Sequence, residues 1–305
     1  MARKPRGEAV DGVLLLDKPA GLSSNHALQR ARRLLGAAKA GHGGTLDPMA
    51  TGLLPLAFGN ATKFSADLLE ADKTYEATLQ LGVVTDTGDA EGVVTARMPV
   101  QVSGEDLIEA CAHFTGQIEQ VPPMHSALKR DGRPLYELAR AGIEVERAPR
   151  RVHIHALELL AFDAASATAR VRVACSKGTY VRVLAQDFGA RLGCGAHLVA
   201  LRRERTGRLD LDQAVTLEQL EAAPLAERRA LLARPDALLA SLPAVDLDAA
   251  LAARLLLGQR LAIGSALRGR VRVYGHENEL LGTAQIDERG VLAPERLIAN
   301  QATTS

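Results

Sequence analysis

The chain has 305 residues, 47% of them hydrophobic and 24% charged, with a formal net charge of +1. That length exceeds one domain core, so a large and a small domain are expected. No apolar run approaches the roughly eighteen residues of a spanning helix, the basic start leads only into the short run Val13 to Leu16, which is not a secretory leader, and a balanced charge is not the footprint of a strongly basic nucleic-acid binder.

Val13 to Leu16 reads as a short buried strand. Ser23 or Ser24 can cap a helix carrying Leu28, Ala31 and Leu35, with Gly36 as its stop. A glycine-rich loop follows, then a buried strand from Leu53 to Ala57. Tyr75, Ala77, Leu79 and Leu81 alternate with polar residues, which predicts a half-buried strand. Ser103 and Asp106 form a capping-box start for a helix bearing Leu107, Cys111 and Phe114. Arg170 to Ser176 alternates again. Val181, Leu184, Phe188 and Leu192 have helical spacing, closed by Gly193. The Ala/Leu-rich stretch 223–240 predicts a helix. After about Val245, apolar runs at Val271 to Tyr274, Leu280 to Ile286 and Val291 to Ile298 alternate with turn residues. The interleaving lacks a regular βαβ repeat, a GxGxxG, a Walker loop or a GxSxG elbow. The fold expected is α+β: a mixed, largely antiparallel sheet with flanking helices, plus a small C-terminal β-rich module.

Three cysteines, Cys111, Cys175 and Cys194, form no CxxC pair and no ligand spacing with histidine. They read as buried small hydrophobes in a reducing, cytoplasmic compartment. Neither a metal nor a cofactor is expected. Asp86, Asp89 and Glu91 in TDTGDAEG read as an acidic hairpin tip, and His153 and His155 as surface residues on one strand face. Arginine-rich clusters occur at 30–33, 129–133, 147–151, 202–208 and 268–272. Each alone is a solvated face; together they point toward phosphate contacts.

The chemistry-bearing signal is GHGGTLDPMATG, Gly41 to Gly52. From Ala40 to Thr62, twenty-three residues, Asp47 is the sole Asp, Glu, Lys or Arg, where about five or six would be expected at the chain average. One reading is a turn, since Asp-Pro initiates turns. The other is an active carboxylate in a tight loop that a ligand can approach. In a low-charge pocket such a carboxylate needs a cation to stay ionised. CSKGTYVR, with Lys177, Tyr180 and Arg182, can supply one.

These segments resemble the bacterial TruB-type tRNA pseudouridine-55 synthases. The resemblance runs in order through GVLLLDKPAGLSSN, GHGGTLDPMATGLLPLAFGNATK, DKTYEATLQLG, TDTGDAEG, SALKRDGRPLYELARAGIEV, CSKGTYVR and GCGAHLVALRR, covering nearly the whole chain. Two departures are Gly43 and Thr45, where the family loop often reads GHTGALDP, and His125, where it often has Tyr. The resemblance implies isomerisation of one uridine in the tRNA T loop to pseudouridine. It implies Asp47 as nucleophile, Tyr75 as the ring that stacks on the flipped base and handles a proton, and Arg182 as the ion-pair partner of Asp47. His42, Tyr180 and the Leu201 backbone would line the substrate pocket, with Lys18 and Pro19 at its floor. Residues 1–245 would form the catalytic domain, with an RNA-clasping insertion at about 125–151. Residues 246–305 would form a PUA-like RNA-binding domain. The partner expected is the T arm of tRNA, bound by a monomer without a membrane. Two other readings stay open: an RNA-binding or RNA-folding protein with secondary chemistry, and a hydrolase using Cys175 and His197.

Overall fold

The computed structural model describes residues 7–126, 128–130 and 132–298; both extreme ends of the expected domains, 1–6 and 299–305, lie outside the described residues. The frame is a ten-stranded sheet. Along its main path the strands run Val215–Thr216, Gly12–Lys18, Thr51–Phe58, Ala196–Thr206, Lys73–Leu81, Thr168–Cys175, Arg150–Asp163 and Gly116–Gln120. Pairing is antiparallel except at two places. Gly12–Lys18 runs parallel to Val215–Thr216, and Thr51–Phe58 touches Ala196–Thr206 in parallel only through Arg202↔Thr51 and Arg203↔Gly52. That short parallel contact joins the two halves of the sheet, and the loop carrying Asp47 ends at it.

Local sequence explains the elements. Thr51–Phe58 is almost wholly buried, which suits its unbroken apolar run. Lys73–Leu81 alternates, burying Ala77, Leu79 and Leu81 against helices Gly104–Phe114 and Val181–Arg191. Helix Gly104–Phe114 starts with the expected capping box of Ser103 and Asp106. Helix Ser24–Leu34 is capped by Ser23, whose hydroxyl accepts from the His26 N–H at 3.2 Å, and it packs Ala27, Leu28 and Ala31 on the other core.

The predicted helix over 223–240 does not form as one piece. Pro235 cuts it, since a proline there removes a helical hydrogen bond and crowds the carbonyl four residues back, whereas Pro224 sits at the N-cap, where a helix tolerates it. The chain makes the short helix Leu225–Ala230 and a 3-10 turn Pro235–Leu239. Between them Ala233 bridges to the central sheet, exchanging both backbone hydrogen bonds with Val13. TDTGDAEG does form a hairpin tip, between Val83–Thr85 and Val94–Arg97. It is not simply a surface tip, however, because Asp89 turns inward and is buried.

The C-terminal segment folds into a five-stranded sheet, ordered Ala244–Asp246, Gly269–Tyr274, Leu280–Ile286, Val291–Leu297 and Leu261–Ala262, with helix Ala249–Leu256 packed on it. It docks on the first unit through an apolar cluster, in which Tyr274 and Leu280 pack with residues such as Phe64, Leu238 and Leu239, and through polar contacts. Arg270 pairs with Asp67, the Lys63 ammonium donates to the Leu297 carbonyl at 2.8 Å, and Arg296 donates to the Lys63 carbonyl at 2.6 Å. Among the described residues no helix is long and apolar enough to cross a membrane.

Candidate active site

A cavity of about 490 Å³ opens above the sheet junction, with Asp47, Tyr75, Tyr180, Arg182, Leu201 and Arg203 in its wall. Each comes from a different local device. Asp47 sits on the glycine-rich loop. Tyr75 is on strand Lys73–Leu81, directly across from Arg203 in the neighbouring strand. Tyr180 holds the N-cap position of helix Val181–Arg191, and Arg182 lies in that helix's first turn. Gln120, buried, fixes Tyr180: its side-chain oxygen accepts from the Tyr180 N–H at 3.0 Å and its amide donates to the Tyr180 carbonyl at 3.3 Å.

The loop is tied down from behind. Ser24 is buried, donates to the Leu46 carbonyl at 3.0 Å, and accepts from the Leu46 N–H at 2.8 Å. Lys18 is fully buried. Its ammonium donates to the carbonyls of Pro19, Leu22 and Pro48 at 2.8, 2.7 and 3.3 Å. All three donors are thus engaged by backbone, and Lys18 lies behind the loop rather than in the cavity wall. Its role is to hold Pro48 beside Asp47. Burial pulls the Lys18 pKa down to about 8, against the opposing attraction of Asp47. His42, on the edge strand Ala40–His42, is also outside the cavity wall; its Nδ1 is buried without a hydrogen-bond partner, and burial lowers its pKa.

Arg182 organises the charge. Its Nε lies 3.0 Å from Asp47 Oδ2 and its Nη1 lies 3.2 Å from Asp89 Oδ2, while Nη2 donates to the His125 carbonyl at 2.7 Å. One buried guanidinium therefore bridges two carboxylates. Asp89 is itself held, since its Oδ1 accepts from the Thr87 hydroxyl at 2.6 Å and the Glu91 N–H at 3.1 Å. The Asp47 side chain keeps 37% of its surface open and lines the cavity. Burial raises the Asp47 pKa above its usual range; Arg182 opposes this, Asp89 adds to it, and Lys18 opposes it. Burial also pushes the hydroxyls of Tyr75 and Tyr180 up.

The structure thus brings together Asp47, Tyr75, Tyr180, Arg182 and Leu201, and leaves Lys18 and His42 outside the cavity wall. Sequence reasoning missed Ser24, Asp89, Gln120 and Arg203. Ser24 had a faint signal: two adjacent serines compete for one N-cap, so the second is free for another task. Some of the clustered arginines are engaged in ion pairs, several of them partly exposed to solvent. Arg30 pairs with Glu221, Arg202 with Asp17, Arg205 with Asp210, and Arg270 with Asp67 and Glu295. Cys175 lines the cavity, but burial raises its thiol to about 11, and His197 Nδ1 lies 2.9 Å from the Val83 carbonyl. A thiol so hard to ionise is a poor nucleophile.

The departure at Gly43 has a structural counterpart. A Cβ there would fall 2.4 Å from Leu68 Cβ, so Leu68 fills the space a larger residue needs.

Comparison with known proteins gives the family. Residues 32–181 match the family described as TruB family pseudouridylate synthase (N terminal domain). Residues 182–245 match the tRNA pseudouridylate synthase B C-terminal domain, and residues 243–298 match Pseudouridine synthase II TruB, C-terminal. The chain is 61% identical to the tRNA pseudouridine synthase B of Aromatoleum aromaticum over 294 residues, 96% of this chain and 94% of that one. It is also 61% identical to that of Ralstonia nicotianae over 305 residues, 97% and 96% of the two chains. Among solved structures, a chain of a Cbf5-Nop10-Gar1 complex superposes with a TM-score of 0.74 at 25% identity, covering 95% of this chain and 85% of that one. A chain of an H/ACA RNP bound to a substrate RNA containing 2'-deoxyuridine superposes at 0.73 with 23% identity, covering 99% and 92%, and shares the fold. With the family matches spanning both the Asp47 loop and the C-terminal sheet, the chain belongs to the TruB family of pseudouridine synthases, which are isomerases.

Proposed function

We propose that this chain converts uridine 55 in the T loop of tRNA to pseudouridine, with Asp47 acting on a flipped-out nucleotide. The observation that carries the reading is the Asp47–Arg182 pair at 3.0 Å inside a cavity bearing two tyrosines. The reaction breaks the C1′–N1 bond, turns the uracil and joins C1′ to C5. Every atom is conserved, so the chemistry calls for no redox partner. An ionised carboxylate serves either to attack the nucleoside or to take a sugar proton. Arg182 keeps Asp47 anionic in a site whose burial works against that. A base inside an RNA arm must be extruded to reach such a cavity, and Tyr75 offers an aromatic face for it. The enclosing wall keeps water from hydrolysing the sugar. In this reading Tyr180 and Leu201 line the base pocket, and Lys18 and His42 act from behind the loop.

Residues 1–245 serve as the catalytic unit, with about 125–151 closing over RNA, and 246–305 as a PUA-like RNA-binding unit. The test is incubation with an unmodified T-arm stem-loop, followed by mapping of pseudouridine. Conversion at the single T-loop uridine is expected, and Asp47→Asn should abolish it while RNA binding persists. Full activity in Asp47→Asn ends the proposal.

A further inference from the structure

Arg203 is the largest of the fully buried side chains, with 1% of its surface exposed. A buried guanidinium normally has its five N–H groups met by acceptors. Here Nε donates to the Leu53 carbonyl at 2.7 Å, while Nη2 is enclosed without a partner. No carboxylate pairs with Arg203 among the described residues, although it lines the cavity. The other cations around the cavity differ. Lys18 and Lys73 are engaged by backbone carbonyls, and Arg182 by Asp47, Asp89 and the His125 carbonyl. Arg203 is therefore the cavity-lining cation with donors to spare. Its cross-strand partner is Tyr75, on the same sheet face.

We propose that Arg203 is a positioning residue for the isomerisation, its buried guanidinium orienting the Tyr75 hydroxyl and stabilising its anionic form so that this oxygen can take the proton from C5 of the uracil. This rests on the functional reading above. Once C5 has bonded to C1′, C5 carries both the sugar and a hydrogen. The C5–H bond breaks and its proton passes to the Tyr75 oxygen. The electron pair restores the C5=C6 double bond, the C6=N1 pair moves onto N1, and N1 takes a proton from water. Tyr75 then returns its proton to solvent.

The charged and titratable groups facing Tyr75 come from three elements. Arg203 lies on the neighbouring strand, Cys175 on the opposite one, and Asp47 on the loop. Burial, Cys175 and Asp47 all push the Tyr75 pKa up, and Arg203 pulls it down. A phosphate ligand for Arg203 is disfavoured by its burial, since only 1% of the residue is exposed.

The test is a direct titration of Tyr75, taken as the difference in tyrosinate absorbance between each chain and its Tyr75→Phe counterpart. Arg203→Gln should raise the Tyr75 midpoint by about one unit or more, a roughly tenfold loss of anion at a given pH. The more alkaline of the two inflections in the rising limb of the pH–rate profile, the one set by Tyr75 rather than by Asp47, should move up by the same amount. Arg203→Lys keeps the charge but not the planar fork, so it should give a smaller rise and recover part of the rate. It also carries the test if Arg203→Gln does not fold. An unmoved Tyr75 midpoint in a folded variant overturns the proposal. So does an affinity for T-arm RNA weakened more than tenfold with the midpoint unchanged, which would make Arg203 an RNA contact. Absence of pseudouridine formation by the unmutated chain would instead take down the functional reading, and with it the catalytic use of the pair.

Discussion

Two adjacent serines with different partners allow a sharp test of how the Asp47 loop is held. Ser24→Ala removes a buried hydroxyl that satisfies both the N–H and the carbonyl of Leu46, the residue before Asp47. Leu46 is buried, so water cannot replace the lost bonds without opening the loop. Leaving two buried backbone groups unpaired costs about 2–4 kcal/mol. For a domain of this size that lowers Tm by roughly 5–15 °C. The loop can recover part of this by shifting, but a shift moves Asp47. A displacement near 1 Å at a reacting group costs on the order of 100-fold in rate. Ser23→Ala is the control. It removes a helix cap worth about 1 kcal/mol, and its hydroxyl bonds the helix's own His26 N–H rather than the loop. Calorimetry and single-turnover pseudouridine formation should therefore separate the two. Ser24→Ala should lose both stability and rate, and Ser23→Ala a little stability alone. Equal rates for the two variants would refute the claim that Ser24 positions the carboxylate.

Activity should fall as pH drops through the Asp47 pKa, because the ionised form is the active one and burial holds that pKa above the usual carboxylate range. Arg182 acts to lower it, so in Arg182→Gln the acid limb of residual activity should move to higher pH; a limb that stays put or moves down contradicts the assigned role. Gly43→Thr should destabilise this chain, because a Cβ at position 43 would press into Leu68. Adding Leu68→Gly, which removes the Cβ along with the rest of the side chain, should make the double variant's loss of Tm smaller than the sum of the two single losses, and additive losses would show that the two sites are not coupled.

The elements legible in the sequence were those set by neighbours along the chain. The alternation after Tyr75, the Ser103–Asp106 box and the apolar run after Gly52 each encode a local geometry, and each appears in the structure. The 223–240 stretch misled because composition favoured a helix while Pro235 forbade a continuous one. The Asp47 loop stood out for what it lacked, and CSKGTYVR for the arginine it could bring. Asp89 could not be told from Asp86 or Glu91, since its burial depends on where Arg182 arrives from another part of the chain. Arg203 sat within a run of arginines that reads as a surface, and only strand pairing turns it inward while Arg202 faces Asp17.

The clearing of charge from the loop follows from the same arrangement. The site is not poor in charge: Arg182, Asp89, Lys18 and Arg203 all reach it from other elements. What the loop must contribute is one carboxylate and a very close approach to its neighbour. Gly52, at φ +96, would place a Cβ 2.4 Å from the Arg203 carbonyl oxygen. A second charged side chain in so tight a turn would have to be buried without a partner, at a cost of several kcal/mol, or would compete with Asp47 for Arg182. A loop that brings a single anion against an arginine fixed by other elements, and packs its remaining residues small or apolar, avoids both.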